Sequence, residues 1–469
     1  MAYVVQGSRG GKILIHEGYR YQKNRIRLNA IHWRCWRNTC RAPLRTAVFD
    51  IQNAPNNIDV LYVSEHDHQE DQETIDSASI RQRMVNHVSA NPEVSGRQAY
   101  DNVVQQVPRN ERDSIPTYDC LRSSLDRTRR KHIPPIPATI NDVAINGRWC
   151  LTKDGDQFLS KLDNGWGIAV FCTREALMCL GDCNDIYIDA TFKSVPRPYM
   201  QFLTIHGFYR DRVIPFVYAL MTDKHIGSYR QIMRHIKRRY RRLTNNDLSP
   251  QNIVSDFETG MITAAETEFP QARMCGCFFH FCRSIWRRLQ KEGLRNAFNR
   301  RLALRRCVRK MMAIAYLPLA VVRQNFQLFR QDATTQRLCH NCPGLRELLT
   351  YFQRNYLNGQ FSPVIWNVYQ RNMDNRTNNH VESFNKRWNA VVGRRHPNLW
   401  YFLKKLKTEE RRGALSVAAV RRGDRPPVRK RKYRLLQERI DRLTNSYRNG
   451  QRTLNQYWDA MVYTVAQFN

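Results

Sequence analysis

The sequence predicts an α+β protein of several domains: a small stapled β module, a short helical segment, a mixed sheet with flanking helices interrupted by an all-α insertion, and a basic C-terminal tail. Three observations predict it. Residues 1–70 alternate apolar and polar positions in short runs, the pattern of brief strands. After the stiff Ile133-Pro134-Pro135-Ile136-Pro137 stretch the chain turns strand-rich with tight turns, and from Arg283 onward it turns helical and strongly basic. At 469 residues the chain exceeds one ordinary core, and 42% hydrophobic with 11% aromatic content suffices to fill two to four of them.

Within residues 1–70 the expected strands are Lys12–Ile15, Tyr19–Tyr21, His32–Cys35, Thr46–Phe49 and Val60–Val63. Strands this short enclose a thin core, which a metal staples in small modules. Cys35 and Cys40 supply two thiolates, and His66 and His68 flank Asp67 so that alternation puts both imidazoles on one side of an extended segment. Together they complete a tetrahedral Zn²⁺ site. Residues 71–133 follow as an acidic linker and three helices, Ile80–Ala90, Gly96–Val107 with Ser95 as N-cap, and Tyr118–Lys131. Such a trio is either a helix-turn-helix reader of DNA or a packed spacer.

Residues 134–284 hold the first part of the sheet domain. Strands are expected at Asp185–Ala190, Met200–Tyr209 and Val213–Met221, the last two joined by Arg210-Asp211-Arg212. A helix at Ser228–Leu243, a strand at Asn252–Ser255, a helix at Thr259–Glu268 and a strand at Met274–Phe279 come next. Three antiparallel strands followed by alternating helices and strands is the order of the ribonuclease-H-like (RNase H-like) fold. Residues 285–372 read as the helical basic insertion, 373–412 as the final part of the sheet domain with a Glu-bearing helix, and 413–469 as the tail. Eleven Lys or Arg stand between Arg283 and Lys310 against the single acid Glu292, and eight between Arg421 and Arg434 against Asp424. The tail reads as a solvated charged segment, a nuclear localisation signal or a phosphate-binding patch.

Asp189 and Asp256 each end an apolar strand, where a lone buried carboxylate is costly. Strands laid side by side bring the two together, and divalent cations relieve their repulsion. Glu382 opens a helix in Asn378-Asn379-His380-Val381-Glu382-Ser383 and is the third carboxylate. Three such groups around two Mg²⁺ or Mn²⁺ ions activate water or a sugar 3′-hydroxyl in phosphodiester transfer. Structural alternatives stand beside these readings. Asp256 also suits a helix cap, Glu258 a solvated first turn, and Cys277 with His280 a core thiol and a hydrogen-bonded imidazole, with Cys275 or Cys282 available for a zinc site that nothing requires. Cys339 and Cys342 form a Cys-x-x-Cys with no second pair at matching spacing.

Seventy-six Lys+Arg against 41 Asp+Glu leave a net charge of +35, which points to a polyanionic partner, and nucleic acid first among them. No apolar run reaches the roughly 18 residues that span a bilayer, and Met1 to Gly11 lacks the apolar region of a secretory signal, so no membrane partner is expected. Thirteen cysteines, an odd number, favour reduced thiols and metal ligands over a disulfide framework.

Gly18-Tyr19-Arg20-Tyr21, Trp33-Arg34-Cys35, Cys40-Arg41-Ala42 and His66-Asp67-His68 resemble, in order and aromatic content, the FLYWCH zinc finger. The string Tyr187 to Lys193, Ser255-Asp256-Phe257-Glu258, Phe269-Pro270 with Cys277-Phe278-Phe279-His280, and Asn378-Asn379 before Glu382-Ser383 resemble the successive motifs of the Mutator-like (MULE) transposase domain over roughly residues 180–390. That resemblance implies a DDE-type enzyme of the nucleus in which Asp189, Asp256 and Glu382 hold the catalytic metal, with a helical insertion before the Glu. It places His280, with Cys277, in the family's Cys-x-x-His motif and so among the catalytic residues. It implies terminal inverted repeats and target DNA as partners, with a homo-oligomer assembled on DNA. Plant relatives often carry a further zinc finger after the Glu, and no cysteine follows Cys342 here. The alternative is a catalytically silent, domesticated DNA-binding regulator using the zinc finger. An RNA-processing nuclease of the same fold class fits the motifs less well.

Overall fold

The computed structural model describes residues 2–465 apart from 7–10, 52, 56, 71, 372–375, 377, 378, 427 and 429. Asp71 of the acidic stretch and Asn378 of the Glu motif thus lie outside the described residues. The chain divides into two compact units, Met1–Ile136 and Pro137–Asn469.

The first unit opens with a six-stranded antiparallel meander in chain order: β1 Ala2–Gln6, β2 Lys12–His16, β3 Tyr19–Arg27, β4 Ala30–Cys35, β5 Pro43–Thr46 and β6 Val60–Val63. Glu17 and Gly18, at φ 47° and 76°, make the two-residue turn that pairs His16 with Tyr19. Both central residues of this tight hairpin take positive φ, which is why glycine stands there. Leu14, Tyr21, Ile31, Trp33 and Leu44 form the core. The strand expected at Thr46–Phe49 instead ends at Thr46, whose hydroxyl accepts the Trp33 indole N–H at 3.1 Å and pins β5 to β4. Three helices follow, α1 Gln72–Ala90, α2 Gly96–Val104 and α3 Tyr118–His132, around Ile80, Met84, Val88, Ala99, Leu121 and Leu125. Helix α1 starts at Gln72, so part of the acidic stretch expected as linker is helical. Glu73 suits the positive end of the helix dipole, and Ile75 packs on Val5 and Ile15 of the sheet.

The second unit is built on a seven-stranded sheet: β7 Leu159–Asp163, β8 Ile168–Phe171, β9 Asp185–Thr191, β10 Gln201–Tyr209, β11 Arg212–Met221, β12 Asn252–Ser255 and β13 Arg273–Gly276, in the order β13-β12-β9-β10-β11-β8-β7. β9, β10 and β11 are antiparallel, whereas β12 runs parallel to β9 and β13 parallel to β12. Helices α4 Arg174–Gly181, α5 Ile226–Thr244 and α6 Thr259–Glu268 cover one side of the sheet and share a core with Ile186, Ile188 and Ile253. A helical layer follows: α7 Phe278–Lys291, α8 Arg295–Arg300, α9 Leu302–Ala313, α10 Val322–Gln331, α11 Ala333–Asn341, α12 Pro343–Phe352 and α13 Pro363–Trp366. The chain then returns to the other side of the sheet in α14 Asn379–Val392, where Tyr187, Val254 and Val381 pack together, and continues in α15 Leu399–Arg421, whose end puts Val417 and Val420 into the core of the first side. Strand pairing makes Tyr187 and Ile186 alternate between the two sides, as the period of two requires.

Two expectations need correction. The strand expected at Met274–Phe279 stops at Gly276, and Phe278 already begins α7. A Cβ on Gly276 would lie 2.4 Å from the Phe257 ring, so the chain turns where only glycine lets the two segments approach so closely. Residues 413–469, expected as a basic tail, are not wholly solvated either. They continue α15 and add α16 Arg431–Arg448 and α17 Leu454–Met461, which bury Ile440, Tyr457, Trp458 and Met461 in the core of the helical layer. The charge density of the segment masked an apolar face at helical spacing. No described helix is long and apolar enough to cross a membrane.

Candidate active site and metal centre

In the first unit, β4 ends on Cys35, the following turn carries Cys40, and the segment after β6 brings His66 and His68 back to them. Cys35 Sγ lies 3.3 Å from His68 Nε2, Cys40 Sγ lies 3.3 Å from His66 Nδ1, and these two nitrogens are 3.3 Å apart. Bonds of about 2.0–2.3 Å to a tetrahedral zinc give ligand-to-ligand edges of roughly 3.3–3.8 Å, so the four donors fit that ion. The ring nitrogens pointing away are also engaged. His66 Nε2 meets the Tyr21 hydroxyl at 2.6 Å, and His68 Nδ1 donates to the Gln69 carbonyl at 2.8 Å. Such outer contacts fix ring tautomer and orientation. Tyr19 stacks on His66 with ring centroids 3.7 Å apart. Burial, then the neighbouring His68, lowers the pKa of His66 and favours the neutral ring that a metal needs.

In the second unit the sequence-predicted acids converge from three elements. Ser255 of β12 pairs with Ile188 of β9, which sets the next residues, Asp256 and Asp189, beside each other at the strand ends. Asp189 is buried, and its Oδ1 accepts its neighbour Ala190's backbone N–H at 2.9 Å. Helix α14 lies across the same side of the sheet because Phe384 packs on His206 and Trp388 on Phe202 of β10. Glu409 of α15 accepts from Arg387 with both carboxylate oxygens, bracing α14 from behind. Glu382 and Asn385, one helical turn apart, thereby face the end of β9, where Asn385 Nδ2 donates to Asp189 Oδ2 at 2.7 Å.

His280, in the first turn of α7, links the acids. Its Nδ1 is 2.6 Å from Asp256 Oδ1 and its Nε2 is 3.3 Å from Glu382 Oε1. His280 is thus in charge contact with both acids, and Glu382 Oε1 is buried with no hydrogen-bond partner among the described residues. Burial, then the charge of Asp256, pushes the Asp189 carboxyl well above the usual carboxylate range. Burial likewise raises Glu382, against the opposing influence of His280. Burial alone would lower His280, but its contacts with Asp256 and Cys277 outweigh that and push it up to about 11. Cys277, His280 and Glu382 form one donor group here, with ligand atoms all within 4.8 Å of one another. Asp256 adjoins that group through His280, and Asp189 lies beside Asp256 at the end of the neighbouring strand. Hard oxygens from three acids and the orphaned Glu382 oxygen fit divalent magnesium or manganese.

Residues 186–284 match the MULE transposase domain, and residues 4–68 match the FLYWCH zinc finger domain. No curated protein matches the chain. The MULE transposase domain thus contains Asp189, Asp256, Cys277 and His280, while Glu382 lies beyond it and joins the group through the fold. The FLYWCH domain contains all four zinc-type donors.

Several residues of the MULE site lay outside the sequence reading. Asn385 holds Asp189, and Asn389, a further turn along α14, accepts from Ser194 at 2.7 Å. Their spacing of three and seven from Glu382 was the available signal, a polar stripe on a helix with apolar Val381, Phe384 and Trp388. Buried Arg371 donates to the Gly276 carbonyl at 2.8 Å, steadying the turn into Cys277. No local pattern announces that contact. Glu258, the nearby rival acid, accepts from the Tyr229 hydroxyl at 2.5 Å. Cys275 and Cys282 are buried in apolar surroundings, and Cys342 lies 3.3 Å from Arg301 Nη1.

Proposed function

We propose that this chain is a DNA transposase of the Mutator-like type, acting in the nucleus, whose FLYWCH module contacts element ends and whose second unit cleaves DNA strands and joins them to a target. The observation that carries the reading is the convergence of Asp189, Asp256 and Glu382, far apart in sequence, around His280 on one side of a single sheet. The strand order, three antiparallel strands with two parallel strands added beside the first, supports an RNase H-like reading of that sheet.

Asp189, Asp256 and Glu382 would hold two Mg²⁺ or Mn²⁺ ions. Bound there, the ions supply Lewis acidity that activates water or a 3′-hydroxyl and stabilises the departing oxygen. Asn385 and the Ala190 N–H keep the Asp189 oxygens aimed into the site. His280 holds its proton between Asp256 and Glu382, offsetting their mutual repulsion. The excess of Arg and Lys, +35 over the chain, neutralises the phosphates of the bound duplex.

The test uses purified full-length protein and a labelled duplex taken from the genomic sequence flanking its coding region. Nicking should require Mg²⁺ or Mn²⁺ and disappear with Asp189→Ala. Nicking that persists in that variant refutes the assignment. Specific, zinc-dependent binding with no nicking under any metal favours the silent DNA-binding regulator.

A further inference from the structure

The side of the sheet away from the acids carries a second charged feature. Buried Tyr229, Ile232, Met233, Ile236 and Tyr240 fix which face of α5 meets the core, so its arginines point outward. Arg234, Arg238 and Arg242 recur every fourth residue and so form one row down the helix. A cleft of about 330 Å³ opens beside that row, lined also by Lys161 of β7 and by Arg239. A second cleft, of about 460 Å³, shares Arg234 and Arg238 and adds Lys237 and Arg241, making one furrow along the helix.

The acids nearby do not balance this charge. Glu268 engages Arg230 and Arg234 at 2.9 and 2.8 Å, and Asp247 lies 3.6 Å from Arg241. Among the described residues neither Arg238 nor Arg242 has an acidic partner. His235 in the first cleft adds no charge: burial, then Lys161 and Arg239, lowers its pKa to about 4, and its Nε2 meets the Ser160 hydroxyl at 2.7 Å. Like charges gathered in a concave surface focus the field and favour an anion there.

Extent and placement identify that anion. From Arg234 to Arg242 the helix rises about 12 Å at 1.5 Å per residue, the axial length of roughly three to four phosphates on one DNA strand. Ile186 and Ile188 of β9 face α5, whereas Tyr187 belongs to the side that holds α14, and Asp189 shares its parity. The sheet therefore separates the furrow from the carboxylates, and one straight duplex lying against the acids does not reach α5. We propose that the α5 furrow binds the phosphate backbone of a second DNA segment, distinct from the one presented to Asp189, Asp256 and Glu382. The inference rests on the DNA-acting reading above.

The experiment loads full-length protein onto a bead-bound duplex and measures capture of a labelled second duplex across a salt series, for wild type, Arg238→Gln/Arg242→Gln and Arg238→Lys/Arg242→Lys. The glutamine variant should retain the first duplex, capture the second at least about 10-fold less, and lose about 1–2 from the slope of log affinity against log salt. The lysine variant should keep most of the capture. Equal capture and equal slope for wild type and the glutamine variant overturn the proposal. So does efficient binding of tripolyphosphate with no second-duplex capture by wild type, which would make the furrow a small-anion site. Wild type that binds no duplex at all defeats the DNA-acting reading itself, a result separate from either. If the double glutamine variant melts early, Arg242→Gln alone, at an exposed position, gives the same comparison.

Discussion

The two metal-type clusters of this protein are organised differently. In the FLYWCH module the four donors stand at tetrahedral spacing with the outer nitrogen of each histidine already engaged. In the second cluster His280 contacts both Asp256 and Glu382, and Glu382 comes from a helix that arrives after more than a hundred residues of intervening chain. The module brings its donors together from the end of β4, the turn after it and the segment after β6, whereas the larger sheet has its own core and offers acids at the ends of two interior strands. Metal should therefore matter to stability in the first and to chemistry in the second.

Stripping zinc, or Cys35→Ser, should unfold the FLYWCH module, because structural zinc contributes about 10–16 kcal/mol to such folds. Loss of its cooperative melting transition and of one bound zinc per chain checks this, and an unchanged melt would place the module with self-standing folds. Asp189→Ala should cut strand cleavage about 10³-fold or more, with the second unit's melting midpoint unchanged or raised, since a costly buried carboxylate goes. Asn385→Ala should lower cleavage about 10- to 100-fold while leaving duplex affinity intact, as expected of a group that aims a ligand. An unchanged rate would reduce Asn385 to a packing residue. The smallest effect is expected at the turn preceding Tyr19: Gly18→Ala should cost about 1 kcal/mol from its positive φ, read as a lower melting temperature of the zinc-bound module.

The same contrast explains what could be read from the sequence. Cys35, Cys40, His66 and His68 stand in close pairs, so their chemistry showed in spacing. Asp189 and Asp256 showed because each interrupts an apolar strand, and Glu382 because it opens an amphipathic helix. Strands β9 to β12 lay close to the expected ranges because each is a largely apolar run. What stayed hidden was set by distant contacts. Asn385 is an ordinary helix residue until β9 lies beneath it, and Cys277 to Phe279 read as strand until Phe257 sets the turn at Gly276. Helix α16 was obscured by its arginines, although Ile440 is buried in the core that Tyr457, Trp458 and Met461 of α17 also join.

Calorimetric titration of Mn²⁺ into the zinc-bound protein tests most directly whether the three acids form one centre, because Glu382 lies outside the stretch that matches the MULE domain. Convergence predicts that Asp189→Ala, Asp256→Asn and Glu382→Gln each weaken binding by a similar factor, about 10-fold or more. Wild-type affinity in Glu382→Gln, with loss in the two aspartate variants, would contradict it.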